Sequence, residues 1–290
     1  MHEEEQYLNL IREILDNGSF EDTRNGNCKT IFGNSMKFSL KDGNIPLLTT
    51  KKVAWKTCFK ELIWFINGHT NNDILKEQKV NIWNANASKE FLESRNLSYE
   101  EGDLGPVYGH QWRHFNAPYT NRSADYTNQG IDQLQNIIND LKNTETQTSR
   151  RLIVSAWNPQ QIDEMALPPC HVLMQFHVRE HKYLSCSLYQ RSGDVGLGVP
   201  FNIASYSFLT HILAKHCDLE PDNFVYFLGN AHIYEEHIPS LEKQLCNEPK
   251  AFPRVVIKNK HTNINDYCLA DLEFITPYSH HEPIKMKMIA

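Results

Sequence analysis

The sequence predicts a single α+β domain. Some segments repeat apolar residues at the spacing of a helix, whereas others alternate apolar and polar residues as strands do. No internal repeat, low-complexity tract or linker divides the 290 residues. Helices and strands within one undivided chain fit a single α+β domain.

The elements follow from these two patterns. Helices are predicted at residues 7–15, which end at Asn17-Gly18, at 55–67, at 131–141 and at 200–213. Strands are predicted at 31–33, 36–40, 152–157, 171–178, 183–189, 224–228 and 255–257, with 171–178 and 183–189 forming a hairpin. Residues 103–109 and 230–234 are predicted as loops, 88–102 as a surface insertion and 116–128 as irregular.

Composition sets limits on location and partners. A chain with 40% hydrophobic and 22% charged residues is typical of soluble globular proteins, and no run of about eighteen apolar residues could span a membrane. The acidic start lacks the order of a signal peptide. Seven cysteines without a Cys-x-x-Cys pair predict reduced thiols, no structural zinc and a cytoplasmic or nuclear location. The net charge of −6 gives no sign of a nucleic-acid binder, so an anion would need a local arginine cluster.

Cys170 is the first candidate for chemistry. Pro168 and Pro169 hold it in a stiff turn directly before a predicted strand, because each proline ring fixes φ and prevents helix. A lone cysteine is more often a buried structural residue. Cations nearby, such as Arg191, would favour the thiolate and therefore a nucleophile.

A carboxyl group and several arginines are further candidates. Glu61 lies inside an apolar helix, where it is either paired or has a raised pKa and is poised for proton transfer. Arg24 is either a solvated loop charge or part of an arm that closes on a phosphate. Arg150 and Arg151 are either a solvated strand start or a site for a dianion or a partner subunit. These residues alone predict an enzyme with a cysteine nucleophile, an arginine anion site and a buried carboxyl, without naming the reaction.

Several motifs in register resemble the thymidylate synthase family from about Tyr7 to the carboxyl terminus. They are Thr49-Thr50-Lys51, Glu61-Leu62-Ile63-Trp64-Phe65, residues 102–109, Arg150-Arg151, residues 168–171, 189–194 and 197–206, and His232-Ile233-Tyr234. The insertions resemble those of eukaryotic and large-virus members. The resemblance implies reductive methylation of deoxyuridylate (dUMP) to thymidylate (dTMP), with 5,10-methylenetetrahydrofolate as one-carbon and hydride donor and no metal. It also implies a mixed sheet packed with helices and a homodimer whose sheets lie back to back.

The resemblance also assigns roles to residues of this chain. The catalytic group it implies is Cys170, which would add to uracil C6, with Glu61, Tyr108, His171, Asn202, Arg191 and Asp194. The implied dUMP contacts are Arg24, Gln190, Arg191, Ser192, Asp194, Asn202, His232 and Tyr234, with Arg150 and Arg151 reaching across from the partner subunit. The implied folate contacts are Lys51, Ile82, Trp83, Asn86, Asp194, Leu197, Gly198, Phe201 and Ala290, the last closing as a lid. The arginines and the phosphate are expected to lower the pKa of the Cys170 thiol.

The sequence departs from the family pattern at a few positions. The loop after Arg24 is one residue shorter than usual, Asn84 and Asn230 replace common aspartates, and Lys287 replaces a common acidic residue in the tail. The 290 residues carry no dihydrofolate reductase sequence, so we expect no fused bifunctional form within them.

Three alternatives stay open from the sequence. A deoxycytidylate hydroxymethylase shares the nucleophile and the folate, although Asn202 favours uracil. A cysteine hydrolase would need Cys170 and His171 to pair, although adjacent strand residues point to opposite faces. RNA binding is possible as a side role, and the acidic net charge weighs against it as the main one.

Overall fold

The computed structural model describes residues 2–23 and 26–289, which form eight α-helices and eight strands. The helices are α1 (Glu5–Asn17), α2 (Trp55–Ile66), α3 (Asp73–Glu77), α4 (Lys89–Ser94), α5 (Tyr108–His114), α6 (Gln133–Lys142), α7 (Gly198–His216) and α8 (Ile238–Leu245). The strands are β1 (Ser19–Thr23), β2 (Gly26–Ser39), β3 (Ile153–Ser155), β4 (His171–Arg179), β5 (Tyr183–Asp194), β6 (Glu220–Tyr234), β7 (Val255–Ile257) and β8 (Leu272–Phe274).

Six strands form one mixed sheet in the order β1-β2-β6-β5-β4-β3, and β7 pairs with β8 in a separate ribbon. Within the large sheet β5 and β6 run parallel, whereas the other neighbours are antiparallel. A parallel pair requires a crossover connection, and α7 supplies it between β5 and β6. The predicted α+β class and the β4–β5 hairpin are therefore confirmed.

Helix α7 is the central helix of the core. It is apolar on nearly every side and packs against β5, β6 and α2, which is typical of a helix covered all round. Pro200 lies in its first turn, a position that proline tolerates because the first N–H groups of a helix have no intrahelical partner. Phe208 of α7 meets Phe59 of α2 edge to face, with ring centroids 5.3 Å apart. This contact fixes α2, and with it Glu61, against the central helix.

The opposite face of the sheet is open and carries apolar side chains. Tyr189 of β5 and Phe227 of β6 are register partners and are 39% and 44% exposed. Ile153 of β3 is 45% exposed at the far edge of the same sheet. Strand alternation explains this pattern, because the intervening residues point into the helix-covered core.

Several predicted boundaries were wrong. Residues 230–234, predicted as a loop, belong to β6 because His232 pairs with Thr30 on one side and Asp194 on the other. Residues 31–33 and 36–39, predicted in two separate strands, lie in the single strand β2, which ends at Ser39, so Leu40 lies just outside it. Tyr108, predicted in a loop, begins α5. The predicted surface insertion 88–102 contains α4, in which Leu92 is fully buried.

No helix in the described parts of the chain is long and apolar enough to cross a membrane.

Candidate active site

The turn that carries Cys170 is held at both of its backbone groups. Its N–H donates to the hydroxyl of Tyr108 at 2.8 Å, and its carbonyl accepts from the backbone N–H of Arg191 at 2.9 Å. The side chain is half-buried at the amino-terminal end of β4. The two preceding prolines and these two bonds leave the turn little freedom, so the thiol is presented in one orientation.

Arg191 completes this turn. Its Nε donates to Pro169 O at 2.9 Å and its Nη2 donates to Pro168 O at 3.0 Å. The guanidinium also lies over the ring of Trp157, 5.6 Å from the ring centroid. The charge of Arg191 is thereby fixed beside the nucleophile.

The predicted lowering of the Cys170 pKa, which includes the partner's arginines and a phosphate, stays a prediction for the assembled site. Within the single chain the balance of effects is different. Burial raises the pKa of Cys170, and the positive charge of Arg191 opposes this without overcoming it. The thiol is therefore mostly protonated at neutral pH, and it has to lose its proton before it can attack as a nucleophile.

Glu61 satisfies both explanations that the sequence left open. It is buried on α2, and Oε1 accepts a hydrogen bond from the indole Nε1 of Trp83 at 2.7 Å. Burial raises the pKa of Glu61 to about 7, while the indole donor lowers it. A carboxyl group with this pKa can both give and take a proton near neutral pH.

His171 follows Cys170 directly, and Asn202 lies next to the His171 side chain in the buried part of the site. The His171 ring packs between Tyr108 and Tyr206, with centroid distances of 5.1 and 5.2 Å. Burial lowers the pKa of His171 to about 4, and a contact with the Asn202 amide opposes this shift. The imidazole is therefore neutral at pH 7, and Asn202 is held next to it in a buried position.

The parallel pair β5–β6 brings together most of the residues that were predicted to bind the nucleotide. Ser192 is the register partner of Asn230, and Asp194 is the partner of His232. His232 Nδ1 lies 3.0 Å from Asn230 Oδ1, and the rings of His232 and Tyr234 meet edge to face at 5.1 Å. These side chains thus line the same end of the sheet.

Gln190 is oriented by two bonds in the same region. Its Oε1 accepts from the hydroxyl of Tyr226 at 2.6 Å, and its Nε2 donates to Ser192 O at 2.9 Å. Both ends of the amide are engaged, so its orientation is fixed from within the sheet.

The turn after β5 carries the predicted folate contacts. Asp194 Oδ1 accepts from the backbone N–H groups of Gly196 at 2.8 Å and Leu197 at 3.3 Å. Gly198 and Phe201 follow in the first turn of α7. The Asp194 carboxylate therefore holds this turn directly before the start of α7.

Lys51, a predicted folate contact, lies beside the same turn. Its side chain is buried, and the ammonium donates to the carbonyl oxygen of Gly196. Burial lowers the pKa of Lys51 to about 8, although Asp194 opposes the shift. The lysine would have to leave this contact before it could meet a glutamate carboxylate of a folate.

The remaining predicted residues divide into three groups. Ile82, Trp83 and Asn86 lie in the turn region after α3, with Trp83 and Asn86 buried and Ile82 half-buried. Arg150 and Arg151 are exposed before β3, and neither side chain forms a hydrogen bond or ion pair within residues 2–23 and 26–289. Arg24 and Ala290 lie outside the described residues.

Three residues of the site were missed by sequence reasoning. Trp157 lies under Arg191, Tyr226 donates to Gln190, and His237 faces Asp194 with Nδ1 3.6 Å from Oδ1. Tyr226 could have been found from its inward place in the alternation of β6. Nothing local in the sequence singles out Trp157 or His237, because their partners lie far away along the chain.

Within the described residues, no group of three or more His, Cys, Asp or Glu side chains is arranged to hold a metal ion.

Comparisons with known proteins show which family this chain is similar to. A family model described as thymidylate synthase matches residues 5–290. Bifunctional dihydrofolate reductase-thymidylate synthase 2 of Arabidopsis thaliana is 52% identical over 289 residues, which are 99% of this chain and 50% of that protein. The bifunctional dihydrofolate reductase-thymidylate synthases of Plasmodium chabaudi and Leishmania amazonensis are 50% and 49% identical, and the matches cover 100% and 99% of this chain and 49% and 55% of those proteins.

The chain spans about half the length of the curated relatives that it matches. The family model covers nearly all of the chain, including the cysteine turn, the buried glutamate and the β5–β6 pair. The chain therefore belongs to the thymidylate synthase family.

Proposed function

We propose that this chain converts dUMP to dTMP, with 5,10-methylenetetrahydrofolate as the co-substrate that gives the one-carbon unit and the hydride and leaves as dihydrofolate. The observation that carries the proposal is the fixed Cys170 turn, held by Tyr108 and Arg191, together with the buried carboxyl of Glu61, whose charge acts on the same tyrosine. Membership of the thymidylate synthase family supports the same reaction.

Cys170 is the nucleophile of this proposal. Uracil C5 is a poor nucleophile, so the sulfur first adds to C6, and the electrons of the C5–C6 double bond move toward C5 and O4 as an enolate. The activated C5 then attacks the one-carbon unit of the folate. Loss of the C5 proton then breaks the bond between the one-carbon unit and the folate nitrogen and leaves an exocyclic methylene on C5. A hydride from the co-substrate adds to this methylene, the C5–C6 double bond re-forms and the Cys170 thiolate leaves C6. Covalent catalysis thus divides one difficult substitution into easier steps.

Glu61 supplies the proton transfers that these steps require. Its pKa of about 7 lets it protonate an oxygen that becomes an enolate and later take a proton back. Tyr108 and neutral His171 surround the same space and present groups that can relay a proton. Asn202 offers an amide donor and acceptor that match the C4 carbonyl and the N3–H of uracil.

The β5–β6 end of the sheet suits the rest of the nucleotide. Arg191 and Ser192 would bind the phosphate, because a guanidinium and a hydroxyl both donate to anionic oxygens. His232 and Tyr234 would bind the ribose 3′-hydroxyl. Their placement in one strand beside Ser192 supports this assignment.

The folate would lie over Asp194 and the start of α7. Leu197, Gly198 and Phe201 provide an apolar wall there, with Ile82 and Trp83 across from it. The Asp194 carboxylate keeps Oδ2 for a pterin N–H, since its recorded backbone bonds use Oδ1.

The protein is proposed to act as a homodimer through the open face of the sheet. Tyr189, Phe227 and Ile153 expose apolar surface there, and an unpaired apolar face favours contact with another protein surface. A two-fold arrangement would also bring exposed Arg150 and Arg151 to the partner's phosphate site. This explains why two neighbouring arginines lack partners among the described residues.

A reducing compartment, cytoplasm or nucleus, is proposed because all seven cysteines are unpaired. RNA binding gains no support from the net charge of −6.

The test is an assay in which the protein is mixed with dUMP and methylenetetrahydrofolate. The absorbance of dihydrofolate measures product formation. Wild type is expected to be active, whereas Cys170→Ser should bind dUMP and lose nearly all turnover, since a serine hydroxyl has no comparable anion fraction. With folate, 5-fluoro-dUMP should form a covalent adduct on the peptide that contains Cys170. Easily measurable turnover by Cys170→Ser, or an adduct on another cysteine, would contradict the proposal.

A further inference from the structure

His237 lies between the Asp194 turn and the carboxyl-terminal tail. It ends a single 3-10 turn (Glu235–His237) that leads into α8, and its side chain is fully buried. On one side, Nδ1 lies 3.6 Å from Asp194 Oδ1, which is within ion-pair range but longer than a hydrogen bond. On the other side, Nε2 lies 2.7 Å from the backbone carbonyl oxygen of Lys287. One ring thus spans from the proposed folate site to the tail.

The two neighbours determine the protonation of this ring. A carbonyl oxygen only accepts, so the nitrogen next to Lys287 must carry a hydrogen. A neutral ring would then present a bare nitrogen to the Asp194 carboxylate, which is also an acceptor. Protonation of Nδ1 replaces this unfavourable contact with an ion pair. The contacts with Asp194 and the Lys287 carbonyl together raise the pKa of His237, even though burial opposes the shift.

Other charged groups face the ring and act more weakly. Lys51 lowers the pKa of His237, but its ammonium is engaged by Gly196 O. His232 lies close enough for the two imidazoles to repel each other when both are charged. Tyr234 meets the His237 ring edge to face at 5.6 Å. The Asp194 carboxylate is therefore the main partner for a charged His237.

The His237 ring packs directly against Gly196, where a side chain would not fit. A Cβ on this residue would lie 2.7 Å from His237 Nδ1 and 3.1 Å from Met286 Sδ. Its φ is not in the left-handed region, so the absence of a side chain serves packing rather than backbone freedom. The glycine allows the histidine and the tail to come together over the Asp194 turn.

The other polar contacts of residues 285–289, the end of the tail, are weak. Lys287 Nζ lies 3.9 Å from Glu236 Oε2, and these side chains are 75% and 61% exposed. The hydroxyl of Ser240 donates to Lys285 O at a long 3.4 Å. An exposed ion pair contributes little to stability. The buried bond from His237 is therefore the main polar attachment of this segment.

We propose that His237 is a positioning residue that ties the Asp194 carboxylate to the tail at Lys287, so that protonation of the ring docks the tail over the proposed folate site before substrates bind. The docking is a property of the folded chain by itself. Its effect on folate binding rests on the proposed function.

The pH dependence follows from the direction of the shift. A raised pKa in the folded state means that the docked form gains stability from protonation. This gain is complete below the ordinary histidine value of about 6.5 and is lost as the pH rises through the higher value of folded His237. Tail docking should therefore be stronger at pH 6 than at pH 8.

The first experiment measures hydrogen–deuterium exchange of the amides of residues 285–289 at pH 6 and pH 8, expressed as protection factors. Three variants accompany the wild type. His237→Ala should lower tail protection about tenfold at pH 6, as expected for loss of a charge-assisted hydrogen bond. His237→Gln keeps an N–H donor but cannot be charged, so it should restore part of the protection and lose most of the pH dependence. Glu236→Gln is the control, and its effect should stay within about twofold.

His237→Gln also controls for titration of Lys51. The variant keeps that lysine, so any pH dependence of tail protection that the lysine causes remains in the variant. Equal protection of the tail in wild type and His237→Ala at pH 6 would overturn the proposal. So would a pH dependence that is as large in His237→Gln as in wild type. If His237→Ala does not fold, wild type against His237→Gln decides the question. A second change, Gly196→Ala, should expose the tail without removing the histidine.

The consequence for function is measured separately. The KM for methylenetetrahydrofolate should rise about tenfold in His237→Ala and less in His237→Gln, while the KM for dUMP changes little. A rise in the KM for dUMP alone would overturn the proposal that His237 acts on the folate site. An inactive wild type would contradict the proposed function, whereas the exchange measurement would still decide whether His237 docks the tail.

Discussion

The hydroxyl of Tyr108 accepts the backbone N–H of Cys170 at 2.8 Å. Tyr108 is the first residue of α5, and Cys170 follows two prolines directly before β4. The bond joins two segments that are 62 residues apart and fixes the orientation of the thiol. A tyrosine that could act in proton transfer thus also positions the nucleophile through its main chain.

Tyr108→Phe should lower kcat tenfold or more and leave the protein folded. The change leaves a buried N–H without an acceptor, at about 1–3 kcal/mol, and frees the thiol to move. The measurement is steady-state dihydrofolate formation together with thermal unfolding. The control is Tyr126→Phe, which removes a hydroxyl that accepts the Thr120 N–H at 3.0 Å in an exposed loop. Equal kcat values for the two variants would show that the Tyr108 bond does not position the thiol.

Glu61→Gln should abolish turnover while it stabilises the protein at alkaline pH. The pKa of Glu61 is raised to about 7 from an ordinary value of 4.5, so the ionised form is unfavourable in the folded state. Because the pKa of this acid is raised on folding, the protein is most stable when the carboxyl is protonated. Its stability falls as the pH rises from about 4.5 through 7. Glutamine avoids this cost, which amounts to about 3 kcal/mol at pH 8 for a shift of this size.

Urea unfolding at pH 8 and pH 4.5 measures this difference. The gain from Glu61→Gln should be large at pH 8 and nearly absent at pH 4.5. A gain that is the same at both pH values would mean that ionisation of Glu61 is not its cause.

Trp83→Phe should move the alkaline limb of the kcat/KM profile to higher pH. The indole donor lowers the pKa of Glu61, and its loss leaves burial unopposed. The protonated carboxyl, which acts first as an acid in the proposed mechanism, would then persist to a higher pH. Activity at pH 8.5, relative to activity at pH 6, should be higher in the variant than in wild type. A pH profile that keeps its midpoint would show that the Trp83 bond does not control the ionisation of Glu61.

Asn202→Asp should shift the preference from dUMP toward deoxycytidylate. The amide matches the acceptor and the N–H of uracil, whereas cytosine presents an amino group and a bare ring nitrogen. Aspartate accepts from the amino group and from a protonated N3. The measurement is kcat/KM for both nucleotides in wild type and variant. A ratio that moves less than about tenfold, or roughly 1.4 kcal/mol, would show that Asn202 does not read the base.

Mixing two inactive variants should restore activity if the dimer is built as proposed. Arg151→Glu removes the proposed contact with the partner's phosphate site. Cys170→Ala removes the proposed nucleophile. A heterodimer would contain one site with an intact cysteine and an intact Arg151 from the other chain. The same mixture without subunit exchange is the control. No recovery after verified exchange would show that Arg151 acts within its own chain or supports packing only.

The sequence by itself was enough to single out the candidate functional residues that stand out in a short stretch of chain. Two prolines before Cys170, a charge within the apolar run around Glu61 and the alternation of the β4–β5 hairpin are all short-range signals, and the structure contains the predicted turn, helix and hairpin. The family motifs added the reaction, because they preserve the order and spacing of residues that meet only after folding.

Only the tertiary structure decided how these residues influence one another. Burial outweighs Arg191 at the Cys170 thiol, Trp83 offsets part of the shift at Glu61, and residues 230–234 extend β6 because strands flank them on both sides. Desolvation and strand pairing depend on groups that are distant along the chain. His237 shows this most clearly, since Asp194 and Lys287 lie 43 and 50 residues away from it in the sequence and meet at its two nitrogens.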